Sequence, residues 1–211
     1  MKIVWALGRA AESHVRKSLI DALGKHKFYG KWSCKCGSTT HKGTYSKVHC
    51  NSCNSHTNIY NEFTILDDGY LISGNPDLIF IDDNTMTIIE IKSINKKDFD
   101  KLEAPVMNHA IQSSRYVYLL RRLGFKVNTE SKVIYVCKDY LFGVPYKEYS
   151  IDTSLPRYKL PFDEEIEQLL KFNSYRTTNE IPKRELCNSA LSPMAKKCPS
   201  CNSCFSRDTD V

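Results

Sequence analysis

The sequence predicts an α/β fold with one domain-sized core and two cysteine-rich additions. Its 211 residues, 41% of them hydrophobic, suffice for one buried core and are too few for two full-sized enzymatic domains. Apolar residues recur at helical spacing near the amino terminus and in strand-like runs after residue 62. Eight of the nine cysteines fall in two short clusters, which favours bound metal over disulfides.

Local patterns predict the individual elements. The first helix is expected over residues 7–23, because one face of it carries Leu7, Ala11, Val15, Leu19 and Leu23. Turn sequences at residues 67–69 and 82–84 indicate antiparallel strands. The predicted strands are 63–66, 70–72, 78–81, 86–91, 132–137 and 146–151, and the later helices are 96–103, 106–123 and 163–172.

The chain is expected to divide into three parts. Residues 28–60 are rich in Cys, His, Ser, Thr and Gly and poor in aliphatic residues, so this segment cannot form a core unaided. We therefore assign residues 1–27 and 61–180 to the core and residues 28–60 to an inserted zinc-ribbon-like module. Residues 181–211 form a carboxyl-terminal four-cysteine module.

The net charge and the hydropathy pattern indicate which partners and which cellular compartment to expect. The formal net charge of +6 suits a polyanionic partner such as nucleic acid, although it is far below that of a polybasic tail. No apolar run approaches the roughly 18 residues needed to cross a bilayer, and the first residues lack the pattern of a secretory signal. The sequence thus predicts a cytoplasmic protein without a membrane partner.

The candidate catalytic residues lie around one predicted hairpin. Asp77 begins a strand, and Glu90, thirteen positions later, and Lys92 end its neighbour. Strand alternation puts Glu90 and Lys92 on one face and turns Ile91 into the core. Two adjacent carboxylates can share Mg²⁺ or Mn²⁺, whose bound water becomes a nucleophile towards a phosphate. Lys92 would orient that water or help to deprotonate it.

A structural interpretation of the same residues is also available. Asp77 would then be a turn residue, and Glu90 and Lys92 an exposed cross-strand pair. Two features favour the catalytic interpretation. Glu90 and Lys92 end a strongly apolar strand, where an unused charge is costly. Gly74 and Pro76 precede Asp77, as expected where the backbone turns sharply or approaches a ligand.

Three motifs follow one another in the core: Gly74-x-x-Asp77-x-Ile79, Glu90-x-Lys92 and Gln112-x-x-x-Tyr116. In this order they resemble the signature of RecB-like nucleases of the PD-(D/E)XK superfamily, over about residues 7–137. The resemblance implies a restriction-endonuclease-like mixed sheet flanked by helices, with metal held by Asp77, Glu90 and the backbone carbonyl of Ile91. It also implies that Gln112 and Tyr116, one helical turn apart, position the phosphate or the DNA strand.

An upstream motif of that family places a metal-binding histidine four residues after a glycine on the first helix. Here Gly8 is followed by Glu12 at that position, and His14 comes two residues later. A carboxylate is the harder ligand, and relatives with this fold use one, so Glu12 is the expected third metal ligand. His14 lies about 200° away around the helix and is expected at the surface.

A first cysteine set has the spacing of a small zinc ribbon: Cys34, Cys36, Cys50 and Cys53. Its first pair is one residue short of the usual C-x-x-C. A histidine could therefore replace one of the thiolates as a ligand, and the candidates are His41, His49 and His56. The lysines of this segment are expected to touch the DNA backbone or a partner, unless the module only closes a long loop. These lysines are Lys31, Lys35, Lys42 and Lys47.

A second cysteine set lies near the carboxyl end: Cys187, Cys198, Cys201 and Cys204. It resembles the ligands of the 4Fe-4S cluster in iron-sulfur-containing RecB-like nucleases, including those of CRISPR adaptation and those paired with helicases. Those relatives take one ligand from before the catalytic core, whereas all four are local here, so zinc is the alternative. Cys137 lies in an apolar run and is expected to be a small buried residue.

Three functions remain open from the sequence. The first is a DNA exonuclease or end-processing nuclease, in which Glu12, Asp77 and Glu90 bind the metal and Lys92 assists the water. The second is a structure- or sequence-specific endonuclease that uses the same residues. The third is a zinc-containing DNA-binding protein with a vestigial nuclease site. The resemblance also implies DNA as the substrate and a helicase, recombination or replication protein as the partner.

Overall fold

The computed structural model describes residues 2–70, 72–139, 145–178, 187, 189–199 and 201–205. The helices are α1 (Lys2–Leu23), α2 (Lys96–Lys101), α3 (Met107–Arg122), α4 (Pro156–Thr178) and α5 (Cys201–Phe205), with short 3-10 turns at Lys25–Lys27 and Ala195–Lys197. The strands are β1 (Phe28–Ser33), β2 (Thr40–Thr44), β3 (Ile59–Asn61), β4 (Ile65–Asp67), β5 (Ile72–Gly74), β6 (Leu78–Asp82), β7 (Thr85–Ile94), β8 (Glu130–Cys137) and β9 (Tyr146–Asp152). The predicted α/β class is confirmed.

The main sheet is mixed and mostly antiparallel. Its strands lie in the order β2-β1-β6-β7-β8-β9, and β3 also pairs with β1. Only β7 and β8 are parallel neighbours within it, and the connection between them contains α2 and α3, as a parallel crossover requires. Strands β4 and β5 form a separate two-stranded sheet. The hairpin of β6 and β7 therefore lies in the centre of the main sheet.

Apolar side chains on both faces of β7 account for its central position. Ile89 and Ile91 pack with Ile20 of α1, whereas Ile88 packs with Val117 of α3 on the opposite face. Because helices cover both faces, the strand is a nearly continuous apolar run rather than an alternating one. Complete burial of one such side chain contributes about 1.5–3 kcal/mol to folding.

Strand β1 belongs to the main sheet, which the predicted module boundary at residue 28 does not anticipate. Phe28 and Trp32 are fully buried, and Phe28 lies in register with Phe80 of β6. Burial at every second position, with Gly30 between the two aromatic residues, follows the period expected of a strand that packs on one face. Residues 28–60 therefore include strands of the main sheet.

The internal contacts divide the chain into two compact units, Met1–Ile166 and Glu167–Val211. The predicted carboxyl-terminal module falls in the second unit, and its residues 181–186, 188, 200 and 206–211 lie outside the described residues. Within the described ranges, no helix combines the length and apolar character that a membrane span needs.

Candidate functional site

Asp77 lies where the pairing of β6 with β7 ends. Leu78 is in register with Ile89, so β7 extends past the start of β6. Beyond this last pair, the side chain of Asp77 contacts the backbone of β7. Its Oδ2 accepts a hydrogen bond from the backbone N–H of Ile91 at 2.8 Å. Asp77 is thus fixed beside the second half of β7.

Glu90 and Lys92 form a charged pair next to Asp77. Glu90 is 1% exposed, and Lys92 Nζ donates to its Oε2 at 2.8 Å. The other carboxylate oxygen, Oε1, accepts from the backbone N–H of Asp77 at 3.3 Å. Glu90 is therefore not part of an exposed surface pair, and the structure brings Asp77, Glu90 and Lys92 into one hydrogen-bonded group.

Burial has the largest influence on the ionisation of this group. Burial, and after it the negative charge of Asp77, raise the pKa of Glu90 to about 7, although Lys92 acts against this rise. Burial alone would lower the pKa of Lys92, but its contact with Glu90 and the nearby charge of Asp77 together raise that pKa above its usual value. Two carboxylates this close, one of them buried, keep both charges only where cations compensate them.

Helix α1 approaches the end of β7 at Gly8. A Cβ at this position would lie 2.7 Å from Ser93 Oγ, so the absence of a side chain permits the approach. One turn later, Glu12 Oε1 accepts hydrogen bonds from the Ser93 N–H at 3.1 Å and from the Ser93 hydroxyl at 2.9 Å. Glu12 is anchored three residues further along β7 than Glu90, whereas His14 is exposed.

Arg16 is a residue of this site that the sequence analysis missed. It follows Glu12 by one helical turn, and its Nη2 lies 2.7 Å from both Asp77 Oδ1 and Glu62 Oε1. Burial raises the pKa of Glu62, and the charge of Arg16 acts against that rise. The one signal in the sequence was the spacing of four from Glu12, which puts both side chains on the same face of the helix.

The third predicted motif lies on α3, on the side of the sheet that carries Glu90. Gln112 Nε2 donates to the Tyr116 hydroxyl oxygen at 2.8 Å. Burial, together with the negative charge of Glu90, raises the pKa of Tyr116. Gly74 packs against this ring, since a Cβ there would lie 2.4 Å from Tyr116 Cε1. The glycine of the first motif and the tyrosine of the third are therefore in contact.

His109 is a second residue that the motifs did not single out. Its Nδ1 lies 2.9 Å from the Tyr135 hydroxyl, and Tyr135 is the register partner of Lys92 across β7 and β8. Burial lowers the pKa of His109, and the positive charge of Lys92 lowers it further. The pKa of this histidine is thus held below its usual value.

The four cysteines of the predicted ribbon converge. Their sulfur atoms all lie within 4.8 Å of one another and could hold one metal ion; they are those of Cys34, Cys36, Cys50 and Cys53. Cys36 Sγ lies 3.5 Å from Cys34 Sγ and 3.7 Å from Cys50 Sγ. A tetrahedral ion with metal–sulfur bonds of ~2.3 Å would separate two sulfurs by ~3.8 Å. Hydrogen bonding by the Thr39 side chain and the Cys53 backbone lowers the pKa of Cys50 to about 5, which favours the metal-binding thiolate.

Among the described residues, this is the one group of three or more Cys, His, Asp or Glu side chains placed to hold a metal ion. The alternative ligands of the ribbon lie outside it, namely His41, His49 and His56. Two other predicted sets are not gathered in this way: Cys187, Cys198, Cys201 and Cys204, and the carboxylates of Glu12, Asp77 and Glu90. Metal binding by these two sets stays a prediction.

Comparison with known proteins adds no relative. No protein-family model matches the sequence, and a search among curated proteins finds no match. The candidate site thus rests on its motifs and on its geometry.

Proposed function

We propose that the chain is a divalent-metal-dependent deoxyribonuclease of the RecB-like, PD-(D/E)XK kind, acting as an exonuclease or end-processing enzyme. One observation carries the proposal: Glu90 is hydrogen-bonded both to Lys92 and to the backbone of Asp77. An acid at the start of one central strand and an acid–lysine pair at the end of the next are the chemical parts of a phosphodiester-cleaving site.

The arrangement of the central elements supports the proposal. The antiparallel pair of β6 and β7 is followed by the parallel pair of β7 and β8, with α1 on one face and α3 on the other. This corresponds to the mixed sheet flanked by helices that the motif resemblance implies. Helix α1 supplies Glu12 and Arg16, and α3 supplies Gln112 and Tyr116, so motifs distant in the sequence adjoin one pair of strands.

Carboxylate and carbonyl oxygens are the ligands that a hard divalent cation prefers. Glu12, Asp77 and Glu90 would hold Mg²⁺ or Mn²⁺ together with the backbone carbonyl of Ile91. Glu90 is buried beside Asp77, so a cation is needed to keep both carboxylates ionised. Arg16 supplies part of that charge to Asp77 at 2.7 Å and would give up this contact to a bound ion. A bound ion supplies Lewis acidity and lowers the pKa of a water molecule.

The remaining side chains act on the substrate. Lys92 orients the attacking water and stabilises the negative charge that builds on the phosphate. Gln112 and Tyr116 present an amide and a hydroxyl from α3, where they hold the phosphate or the strand. Water attacks the phosphorus while its bond to the 3′ oxygen breaks, and that oxygen takes up a proton. The products are a 3′-hydroxyl and a 5′-phosphate.

The cysteine sets bind structural metal in this proposal. Zinc at the first set closes the module, because four thiolates leave no open position for a substrate; its ligands are Cys34, Cys36, Cys50 and Cys53. The second set would hold a 4Fe-4S cluster or a second zinc ion, bound by Cys187, Cys198, Cys201 and Cys204.

A Lys92→Ala variant tests the catalytic assignment. We expect cleavage of labelled DNA with Mg²⁺ or Mn²⁺ to fall at least about a hundredfold, because a charge that stabilises the transition state is lost. The content of cysteine-bound metal should not change. Linear and circular substrates, assayed side by side, separate an exonuclease from an endonuclease, since only the latter cleaves a closed circle.

Lys132→Ala is the matched control. Lys132 also lies on a central strand and pairs with carboxylates, Glu130 at 3.1 Å and Glu148 at 3.3 Å. Its register partner on β7 is Ile89, three residues before Lys92. Its removal should leave cleavage within about twofold of the wild type. Wild-type cleavage by the Lys92 variant would show that the catalytic assignment is wrong.

A further inference from the structure

The positive charge of the chain is concentrated in one segment. Residues 22–61 contain six lysines and no aspartate or glutamate, whereas the rest of the chain has 24 basic and 24 acidic residues. The whole formal net charge of +6 therefore belongs to this segment. Four thiolates around a divalent ion would leave about +4 on it. The six lysines are Lys25, Lys27, Lys31, Lys35, Lys42 and Lys47.

Two of these lysines lie directly opposite each other. Lys31 of β1 and Lys42 of β2 are register partners, and both are exposed. Like charges at directly opposed positions of antiparallel strands destabilise the pair. On its other side Lys31 is in register with Asn61 of β3, which is neutral. The sheet thus carries an arrangement that costs stability and that an anion lying across both ammonium groups would relieve.

The lysine pair lies on the same face of the main sheet as Glu90 and Lys92, two of the candidate catalytic residues. Tyr29 packs against the cluster on the α3 side, and Lys31, two residues later in β1, points to the same side. Ile88 belongs to that cluster as well, so Glu90 shares this side. Extending the register of Tyr29 with Ile79 by two residues brings Lys31 level with Asp77.

We infer that the exposed faces of β1 and β2 around Lys31 and Lys42 bind the phosphate backbone of DNA next to the cleavage site. This inference rests on the proposed function and assigns a substrate-binding role to the cysteine-held module. The two ammonium groups neutralise successive phosphates and release their counterions, which gives affinity without sequence preference. Because the pair shares a sheet face with Glu90, a strand held there continues to the catalytic residues.

The test measures binding separately from cleavage. All variants are made on the Lys92→Ala background, and fluorescence anisotropy is recorded with labelled duplex and single-stranded DNA of one length at several salt concentrations. For Lys31→Ala/Lys42→Ala we expect Kd to rise about tenfold at 100 mM salt on at least one substrate. The slope of log Kd against log salt should fall by about 2.

Lys97→Ala/Lys101→Ala is the matched control for charge. Both lysines are exposed on α2, which also carries Asp98 and Asp100. This pair removes the same two charges and should leave Kd and the salt slope close to those of the parent. An equal loss in this control, or an unchanged Kd and slope in the Lys31 and Lys42 variant, would overturn the inference.

A Lys42→Glu variant separates binding from folding. It replaces a like-charge pair by an opposite-charge pair across the strands, so the urea midpoint should stay the same or rise. DNA affinity should fall further than in the double alanine variant. A fall in both the midpoint and the affinity would contradict the inference. Failure of the otherwise intact chain to cleave DNA would count against the proposed function alone, because these measurements do not depend on cleavage.

Discussion

Glu90 is a carboxyl group whose charge depends strongly on its surroundings. It is buried, it accepts hydrogen bonds from Lys92 and from the backbone of Asp77, and it lies near the negative charge of Asp77. The contact with Lys92 does not offset burial, because the pKa of Glu90 is raised. A bound divalent cation would reverse this balance. The ionisation of Glu90 therefore reports on metal binding.

A Glu90→Gln variant tests this relation through the pH dependence of stability without added divalent metal. The pKa of Glu90 is about 7 in the folded chain against a usual 4.5. The neutral Glu90 carboxyl group therefore stabilises the folded chain. This contribution is fully present below the pKa that Glu90 has in the unfolded chain, and it is lost as pH rises through the pKa that it has in the folded chain. From pH 5 to 8, the free energy of unfolding of the wild type should fall by roughly 1–3 kcal/mol relative to the variant.

Urea unfolding at each pH provides the measurement, with and without added Mg²⁺. The ion should recover stability at pH 8 in the wild type and much less in the variant, because it binds the ionised carboxylate. Parallel pH curves for the two proteins would contradict the assignment of the raised pKa to Glu90.

A salt bridge between Arg122 and Asp67 connects helix α3 to strand β4. Asp67 of β4 is 7% exposed, and its Oδ2 accepts from Arg122 Nε at 2.8 Å. The backbone N–H of Tyr70 donates to its Oδ1 at 3.1 Å, and the Arg122 guanidinium lies 4.0 Å from the centre of the Tyr70 ring. Tyr116 lies on the same helix, so this contact helps to fix the position of a proposed DNA-binding residue.

An Arg122→Ala variant should unfold at a lower urea concentration than the wild type at pH 7, because a buried carboxylate loses its cation. Burial alone would raise the pKa of Asp67, but the hydrogen bonds from Arg122 and Tyr70 outweigh it and lower that pKa. The contribution is therefore present above the usual pKa of an aspartate and is lost as pH falls below it. Urea unfolding at pH 7 and pH 3 should show the difference between the proteins shrinking at low pH.

Arg115→Ala on the same helix provides a comparison. Its partner Glu165 lies at 2.7 Å, but both side chains are more than one third exposed. Removal of such a pair should cost at most about 1 kcal/mol. An equal loss in both variants would show that burial of Asp67 is not the deciding factor.

The cysteine-held segment, which carries Cys34, Cys36, Cys50 and Cys53, lies between β1 and β3, and both strands belong to the main sheet. Trp32 is buried, packs edge-on against Tyr45 and Tyr60, and donates its indole N–H to the Gly43 carbonyl at 3.2 Å. All four residues lie in or next to the cysteine-held segment, while β1 itself pairs with β6. Loss of metal from the cysteines should therefore expose Trp32 and loosen one side of the sheet.

A Cys50→Ser variant tests this coupling. We expect the loss of about one equivalent of zinc per chain and a destabilisation of several kcal/mol, because binding of a structural metal contributes directly to folding. A red shift of Trp32 fluorescence should accompany it. The chain has two tryptophans, so the comparison is made on a Trp5→Phe background. Elemental analysis and emission spectra provide the measurements.

Cys137→Ala is the control for the loss of a buried thiol. Cys137 is 1% exposed and is not part of the cysteine group. This variant should keep its full zinc content and the emission maximum of the parent. Retention of all zinc by the Cys50 variant would show that this thiolate is not a ligand.

Structural features that depend on residues close together in the sequence could be predicted from the sequence alone. The period of apolar residues indicates α1, α3 and β7, and the alternation of Glu90 with Lys92 puts both on one side of a strand. The hairpin of β6 and β7 brings Asp77 beside them, because a short turn leaves few registers. The spacing of the first four cysteines predicts their convergence for the same reason, since a short loop closes readily.

Contacts between distant segments required the folded chain. Arg16 meets Asp77 across 61 positions of sequence, and Glu12 meets Ser93 across 81. Lys31 comes level with Asp77 only because β1 joins the main sheet. Periodicity tells which face of a helix or strand is apolar, but it does not tell which distant element covers that face. The folded positions of α1 and β1 on the central strands decide this. They bring Glu12, Arg16 and Lys31 towards Asp77 and Glu90.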